Sequence, residues 1–310
     1  MATNIVNSRD RQTSPPTQFY TWKGYQCAYE VHQPENSRGK TPLLLIHPIG
    51  VGLSRQFWQR FCQQWYAAGN ANPIYNPDLL GCGDSAMPRV AYSPTDWAEQ
   101  LQYFLETVVK GPAILVVQGA LFTVGLTLAR LEPDGVRAMI LSGPPSWSLI
   151  TEAGKPLQQK LLWNLLFDSP VGLGNAFYRY ARREAFLRSF SQRQLFAREA
   201  DVDAQWLEML EAGATDPASR YAVFSFLAGF WRRDYRSTIA QLQQPIFAVF
   251  GEKASGISKT GKTDSAEKRL EDYRSNFPNA QGAIAPGRNV MPYEATAEFI
   301  ETITPFVDRY

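Results

Sequence analysis

The sequence is poor in the residue types on which many catalytic and structural sites depend. Its 310 residues include only three cysteines and two histidines, and the formal net charge is +2. A low, odd cysteine count argues against a disulfide framework and suits a reducing compartment. A net charge this small gives no argument for nucleic acid as a partner. We therefore expect a cytoplasmic, intracellular protein with no metal site and no nucleic-acid partner.

Long apolar runs are also absent. No stretch approaches the roughly 20 apolar residues that a membrane-spanning helix needs. Residues 1–18 are polar, contain Pro15 and Pro16, and lack the apolar region of a secretory signal. We interpret residues 1–18 as a flexible N-terminal tail and leave peripheral membrane association open.

Apolar strand patterns alternating with helical patterns dominate what is present. Residues 42–47 (PLLLIH), 113–117 and 136–141 are short apolar runs, and residues 72–78 (NPIYNPD) read as a further short strand. Helical stretches separate them, and they follow a hairpin pattern at 19–31. Alternation of this kind predicts an α/β fold with a mostly parallel central sheet flanked by helices. Continuous apolar runs are typical of strands that are buried on both faces.

The alternation stops at Ser146 and resumes at Ile246. Residues 146–244 show only helical patterns, whereas residues 246–250 and 282–285 again read as strands. We therefore predict a core formed by residues 19–145 and 245–310, with residues 146–244 inserted as a helical cap.

Five segments carry a family resemblance in the same order along the chain. They are LLLIHPIGVG, YNPDLLGCGDS, VVQGALFTVG, PIFAVFGEK and APGRNVMPYE. Together they resemble the strand ends and loops of the α/β-hydrolase superfamily, and in particular its cap-bearing, cofactorless members from cyanobacteria and chloroplasts. The resemblance implies the α/β-hydrolase fold.

The resemblance also implies a catalytic serine, acid and histidine, in that chain order. The slots here hold Ala120 for the serine, Ala254 (or the adjacent Ser255) for the acid and Arg288 for the histidine. None of these side chains can perform the corresponding step. Gln118 and Phe122 replace the two glycines of the G-x-S-x-G turn, so we expect that this strained turn is no longer maintained.

Other residues keep a functional interpretation open. In the family, a histidine loop and the amide after the nucleophile form an oxyanion hole, which here implies His47, Gly50 and the Leu121 amide. Phe122 either fills the former pocket or displaces the helix, and Ser142 either lines the pocket or caps a turn.

Three further hypotheses concern ligands and nucleophiles. Cys82 paired with His47 is an alternative nucleophile, although a small residue in a Gly-rich turn is usually structural. Arg288 can hold an anionic ligand. Residues 256–263 fit G-x-x-x-x-G-K-[ST], but they do not join a first strand to a first helix, so we expect no nucleotide and no cofactor.

The predicted cap is rich in arginine and aromatic residues. Residues 177–198 contain six arginines and one acidic residue. Such a helix can dock on a protein partner or on a membrane surface, or it can be a solvated face over an aromatic core. The aromatic residues are numerous enough to line a cavity for an apolar or anionic small molecule between core and cap.

These observations predict a catalytically degenerate α/β-hydrolase-fold protein that acts as a ligand-binding, scaffold or assembly factor. The alternative is an enzyme of the same fold that acts on an ester-like or apolar small molecule by a route without the Ser-His-Asp triad.

Overall fold

The computed structural model describes residues 15–167, 171–256 and 264–310. Within these ranges, eight strands form one sheet in the order β1-β2-β4-β3-β5-β6-β7-β8. The strands are β1 (Gln18–Trp22), β2 (Tyr25–His32), β3 (Leu43–Ile46), β4 (Ile74–Pro77), β5 (Ala113–Gln118), β6 (Val136–Ser142), β7 (Ile246–Gly251) and β8 (Ala280–Ala285). The pairings of β2 with β1 and β4 are antiparallel and all others are parallel, which confirms the predicted fold class.

Thirteen α-helices accompany the sheet in the described part of the chain. They are α1 (Gln59–Ala67), α2 (Pro94–Phe104), α3 (Phe122–Leu131), α4 (Trp147–Thr151), α5 (Pro156–Phe167), α6 (Leu173–Ala181), α7 (Glu184–Phe190), α8 (Ala204–Gly213), α9 (Arg220–Leu227), α10 (Arg236–Ala240), α11 (Ala266–Asn276), α12 (Met291–Glu294) and α13 (Thr296–Val307). None of the helices in these ranges has the length and apolar character needed to cross a bilayer.

The central strands are buried on both faces of the sheet. Leu44 and Ile46 belong to one core cluster, together with residues of α2, α3 and α11. Leu43 and Leu45 belong to the other, together with residues of α1, α8 and α13. Because side chains alternate between the two faces of a strand, this run of apolar residues serves both cores.

Two predicted segments extend beyond the described residues. Residues 1–14 of the predicted tail and residues 257–263 of the P-loop-like stretch lie outside them. Gln18, which we assigned to the tail, begins β1, and the Thr17 hydroxyl accepts a 2.8 Å hydrogen bond from Arg55 Nη2.

Residues 146–244, which we call the inserted segment, connect β6 to β7. Its described residues form helices and turns and include no strand. Trp206 of α8 fixes it to the core through Phe57, at 6.2 Å between ring centroids, and Tyr293, at 4.7 Å. Arg60 and Asp203 add an ion pair at 2.6 Å. The inserted segment is therefore packed on the core rather than tethered at its two ends alone.

Candidate functional site

The carboxyl ends of β5, β6, β7 and β8 lie side by side, and the loops that follow them are joined by hydrogen bonds. Gln118, the last residue of β5, donates from Nε2 to the Asn289 carbonyl at 2.7 Å. Asn289 Nδ2 in turn donates to the Ser255 carbonyl at 3.2 Å. The segments predicted to hold the nucleophile, the acid and the base therefore do meet at one edge of the sheet.

The sharp turn after β5 is centred on Gly119. Gly119 follows the last strand residue and begins the short 3₁₀ turn Gly119–Leu121, which also contains Ala120; of these residues only Gly119 has a positive φ, at +63°. The family's serine occupies the strained position of this turn, and here that position is one residue before the predicted Ala120. Neither residue carries a nucleophilic side chain.

We expected that the strained turn is no longer maintained; in the structure the sharp turn is kept and only its strain is absent. A positive φ strains most residues but costs glycine little, so the turn persists without strain. In the sequence, the residue that predicts this turn is Gly119, which directly follows the apolar strand. A Cβ built on Gly119 meets no heavy atom within 4 Å, so open space adjoins the turn.

Phe122 begins α3 and is fully buried. Its ring packs against Tyr235, with 6.1 Å between centroids and a steep interplanar angle. The helix still approaches β5 closely, because a Cβ on Gly125 would lie 3.1 Å from Val117 Cγ2. Phe122 therefore fills core volume under the inserted segment, and Gly125 rather than the residue at 122 permits the close contact of helix and strand.

His47 is fully buried and holds two loops together. Its Nδ1 lies 2.7 Å from the Pro48 carbonyl oxygen, and its Nε2 accepts a 3.1 Å hydrogen bond from the Leu79 amide. This pairing requires a neutral ring with the proton on Nδ1. Burial lowers the pKa of His47, which favours the same neutral form. Both ring nitrogens are thus engaged within the loops.

Cys82 has the environment of a structural thiol. It is buried, and burial raises its pKa far above the usual range, with the nearby Asp78 adding to the effect. A reactive cysteine needs the opposite shift, toward the thiolate. Asp78 itself is held by the Arg55 amide at 2.8 Å and the Asp84 amide at 2.8 Å, so this turn is a closed hydrogen-bonded unit.

The loop after β3 is covered by α8. Gly52 has φ +77°, and a Cβ there would lie 2.6 Å from the Leu210 carbonyl carbon. A Cβ on Gly213 would likewise overlap the backbone of Gly52. The Gly50 carbonyl accepts the Leu53 amide at 3.3 Å, and Leu121 is fully buried. Gly50 therefore closes a tight backbone turn through its carbonyl, and Leu121 lies in the core.

Arg288 interacts with the loop predicted to carry the acid. Its Nε and Nη2 donate to Ser255 Oγ at 2.9 and 2.7 Å, and Nη1 donates to the Arg193 carbonyl at 2.6 Å. The Arg288 amide donates to the Glu294 carboxylate, which also accepts the Ala197 amide at 2.7 Å. Ala254 contributes an amide hydrogen bond to the Gly251 carbonyl at 2.8 Å. The guanidinium thus ties the core to the inserted segment.

Two buried oxygens beside the turn have no hydrogen-bond partner. They are Gln118 Oε1 and Ser142 Oγ, and the two residues are directly paired in the register of β5 and β6. Each unsatisfied buried polar group costs about 1–3 kcal/mol, so such groups are usually satisfied by a water molecule or a ligand. Sequence reasoning singled out Ser142 but missed Gln118 as a polar residue with an unpartnered atom beside the turn.

A separate cavity of about 380 Å³ lies where α8 faces the core. Its lining includes the polar side chains of Arg55, Asp84, Gln205 and Glu208 together with apolar surface such as Met209. No grouping of three His, Cys, Asp or Glu side chains suited to a metal ion occurs within residues 15–167, 171–256 and 264–310.

Comparisons with known proteins agree on the architecture. The model of the alpha/beta hydrolase family matches residues 43–302. No curated protein matches the chain. Among solved structures, the chain is similar to Cfl2 from Burkholderia cenocepacia, with 17% identity, 96% of this chain and 97% of that chain covered, and a TM-score of 0.74.

Two further solved structures are similar. One is a thermophilic esterase from Thermogutta terrifontis in a malate-bound structure, with 16% identity, 95% of this chain and 98% of that chain covered, and a TM-score of 0.69. The other is the enol-lactonase from Burkholderia xenovorans LB400, with 13% identity, 94% and 100% covered, and a TM-score of 0.69. At these identities the likeness concerns the fold alone, whereas the family model spans most of the sequence, and this chain therefore belongs to the alpha/beta hydrolase family.

Proposed function

We propose that this protein is a catalytically degenerate α/β-hydrolase-fold protein that binds a small molecule beside the Gly119 turn. The observation that carries the proposal is the glycine at the apex of this turn, where the family holds its nucleophile. An acyl transfer by the triad route needs an attacking atom, a base and a group that orients the base. Gly119, Arg288 and Ala254 offer none of these.

The ligand-binding part of the proposal rests on the surroundings of the turn. Open space adjoins Gly119, and Gln118 Oε1 and Ser142 Oγ lie beside it without partners. Gln118 Nε2 is already donated to Asn289, so the free Gln118 oxygen can only accept. The ligand class that fits is a small molecule with a hydrogen-bond donor, such as an alcohol, amide or amine.

A thermal-shift screen of small alcohols, amides and amines tests this function. A compound that binds only the folded state at 100 times its Kd adds about 2.7 kcal/mol to the free energy of unfolding. We expect at least one compound to raise the Tm of the wild type and to have a weaker effect on Ser142→Ala. A screen in which no compound shifts Tm would refute ligand binding at this site, and steady turnover of an ester would favour the enzymatic alternative.

A further inference from the structure

The outer face of helix α5 is unusually apolar for a surface helix. Its side chains of Leu157, Leu161 and Leu165 are 84%, 68% and 44% exposed. Residues four apart share one face of a helix, so the three leucines form a single outward stripe. None of the twelve residues of α5, all of which are described, is buried.

The inner face of α5 packs against other helices and turns of the inserted segment through aromatic side chains. Trp163 stacks on Phe167 at 4.1 Å between ring centroids and contacts Phe230 at 5.2 Å. Phe167 also packs on Tyr221 of α9 at 5.1 Å. These aromatic contacts anchor one side of α5 to the rest of the inserted segment. The leucine stripe on the other side faces outward.

Helix α6 continues the same surface. Phe177 and Tyr180 are exposed on it, and a Cβ on Gly174 near its start would overlap the backbone of Leu166, so the two helices touch. Contiguous exposed apolar surface of this kind marks an interaction site more often than a neutral surface.

The charged residues within α5 and α6 are all basic, and the nearest acidic residues along the described chain, Glu152 and Glu184, lie beyond the ends of these helices. Residues 155–167 and 171–183 contain five cationic residues and no Asp or Glu; the cations are Lys155, Lys160, Arg179, Arg182 and Arg183. Residues 168–170, which include Asp168, lie outside the described residues. The Arg182 guanidinium donates to the Ala214 and Thr215 carbonyls at 3.3 Å, so it is held against the protein. A second copy of this chain would still bring its own Lys160 and Arg179 against the same two helices, so charge disfavours self-association here.

We propose that the α5–α6 face docks on an anionic lipid membrane, with the leucines inserted among the acyl chains and the Lys and Arg side chains at the headgroups. Apolar residues on one face of a helix, bordered by basic residues, are the features of a helix that lies in the membrane interface. Basic residues near an anionic leaflet strengthen such binding, and salt weakens it. This surface is distinct from the Gly119 turn and does not depend on the function proposed above.

Vesicle flotation with the full chain tests the proposal. We expect it to bind vesicles containing 30% phosphatidylglycerol and to bind pure phosphatidylcholine vesicles much less. Burying one leucine contributes about a tenfold change in partitioning or more, so Leu157→Ser combined with Leu161→Ser should weaken binding about 100-fold. Lys160→Gln with Arg179→Gln should weaken it about 25-fold, since each basic residue contributes roughly fivefold.

The control is Phe19→Ser, which removes an exposed apolar side chain from β1, at the far edge of the sheet. It should leave binding unchanged, and all variants should melt within about 2 °C of wild type because the changed side chains are exposed. Three results would overturn the proposal. They are no binding to anionic vesicles, binding that survives the leucine changes, and a dimer in light scattering that those changes abolish.

Discussion

Replacing Gly52 by alanine tests how firmly α8 is seated on the loop after β3. Gly52 has φ +77°, and the new Cβ would lie 2.6 Å from the carbonyl carbon and 2.8 Å from the Cα of Leu210. A left-handed conformation costs a residue with a Cβ about 1–2 kcal/mol, and overpacking costs about 1–3 kcal/mol more. Alanine also restricts the unfolded chain more than glycine does, which offsets about 0.4–1 kcal/mol of this loss of stability. The net loss is therefore about 1–5 kcal/mol, with about 3 kcal/mol at the centre of the range.

Gly69→Ala is the matched control. Gly69 has φ +87°, but a Cβ there meets no atom within 4 Å, so this variant reports the backbone strain without the contact. We expect it to lose about 1 kcal/mol. For 310 residues, a loss of 3 kcal/mol corresponds to about 5 °C in Tm.

The measurement is thermal unfolding of both variants, followed by amide hydrogen exchange of α8. Gly52→Ala should melt several degrees below Gly69→Ala, and residues 204–213 should exchange faster than in the wild type because α8 must move away from the loop. Equal melting temperatures for the two variants, or unchanged exchange in α8, would refute the claim that the inserted segment is packed directly on this loop.

Three further predictions follow from individual side chains. Ser142→Ala should raise the free energy of unfolding of the ligand-free protein by about 1 kcal/mol, because it removes a buried hydroxyl without a partner; a lower Tm would contradict this. Lowering the pH below about 6.5, the unfolded pKa of histidine, should destabilise the protein by up to about 1.4 kcal/mol per pH unit, because burial lowers the pKa of His47 and only the unfolded chain takes up that proton. His47→Gln should flatten this dependence between pH 6.5 and 5.5 in urea titrations, and an unchanged slope would show that other groups cause it. Gly119→Ser should fold with about 1–2 kcal/mol less stability and gain no hydrolysis of p-nitrophenyl butyrate, since both ring nitrogens of His47 are engaged and His32 lies on β2; turnover by this single variant would count against the assignment of the missing base.

The fold could be predicted from the sequence because its signals are local and repeated. The run of residues 42–47 is apolar without interruption, as a strand buried on both faces requires, and it forms β3. The change to helical patterns at Ser146 likewise coincides with the end of the strand β6 at Ser142 and the start of α4 at Trp147.

The exact geometry of the turn after β5 could not be read from the motif alone. Aligning Gln118 and Phe122 with the family's glycines placed Ala120 at the apex, whereas the backbone places the positive φ at Gly119. With both motif glycines replaced, the segment can be aligned to the family's G-x-S-x-G pattern in more than one way, so the pattern alone does not show which residue occupies the serine position. What identifies the apex is a glycine directly after an apolar strand, since glycine adopts the left-handed conformation at least cost.

The other differences between the predictions from the sequence and the structure arise because contacts with residues far along the chain cannot be read from a local pattern. Sequence offered His47 as an oxyanion residue, but its Leu79 partner lies 32 positions away along the chain. The leucines of α5 fit an amphipathic helix in the sequence, and only the tertiary structure shows that Trp163 and Phe167 face the protein while the leucine stripe faces outward. Periodicity predicts that a helix has an apolar face, but it does not say what covers that face.

The most direct test of the central claim is turnover of a panel of p-nitrophenyl esters by the purified wild-type protein, read together with intact-mass detection of an acyl-enzyme. We predict release of p-nitrophenol at the rate of buffer alone and no mass increase, because Gly119 and Ala120 provide no attacking atom. Turnover well above background that is lost in Cys82→Ala or His47→Gln, or a stable acyl adduct, would contradict the claim that this family member has lost its hydrolytic chemistry.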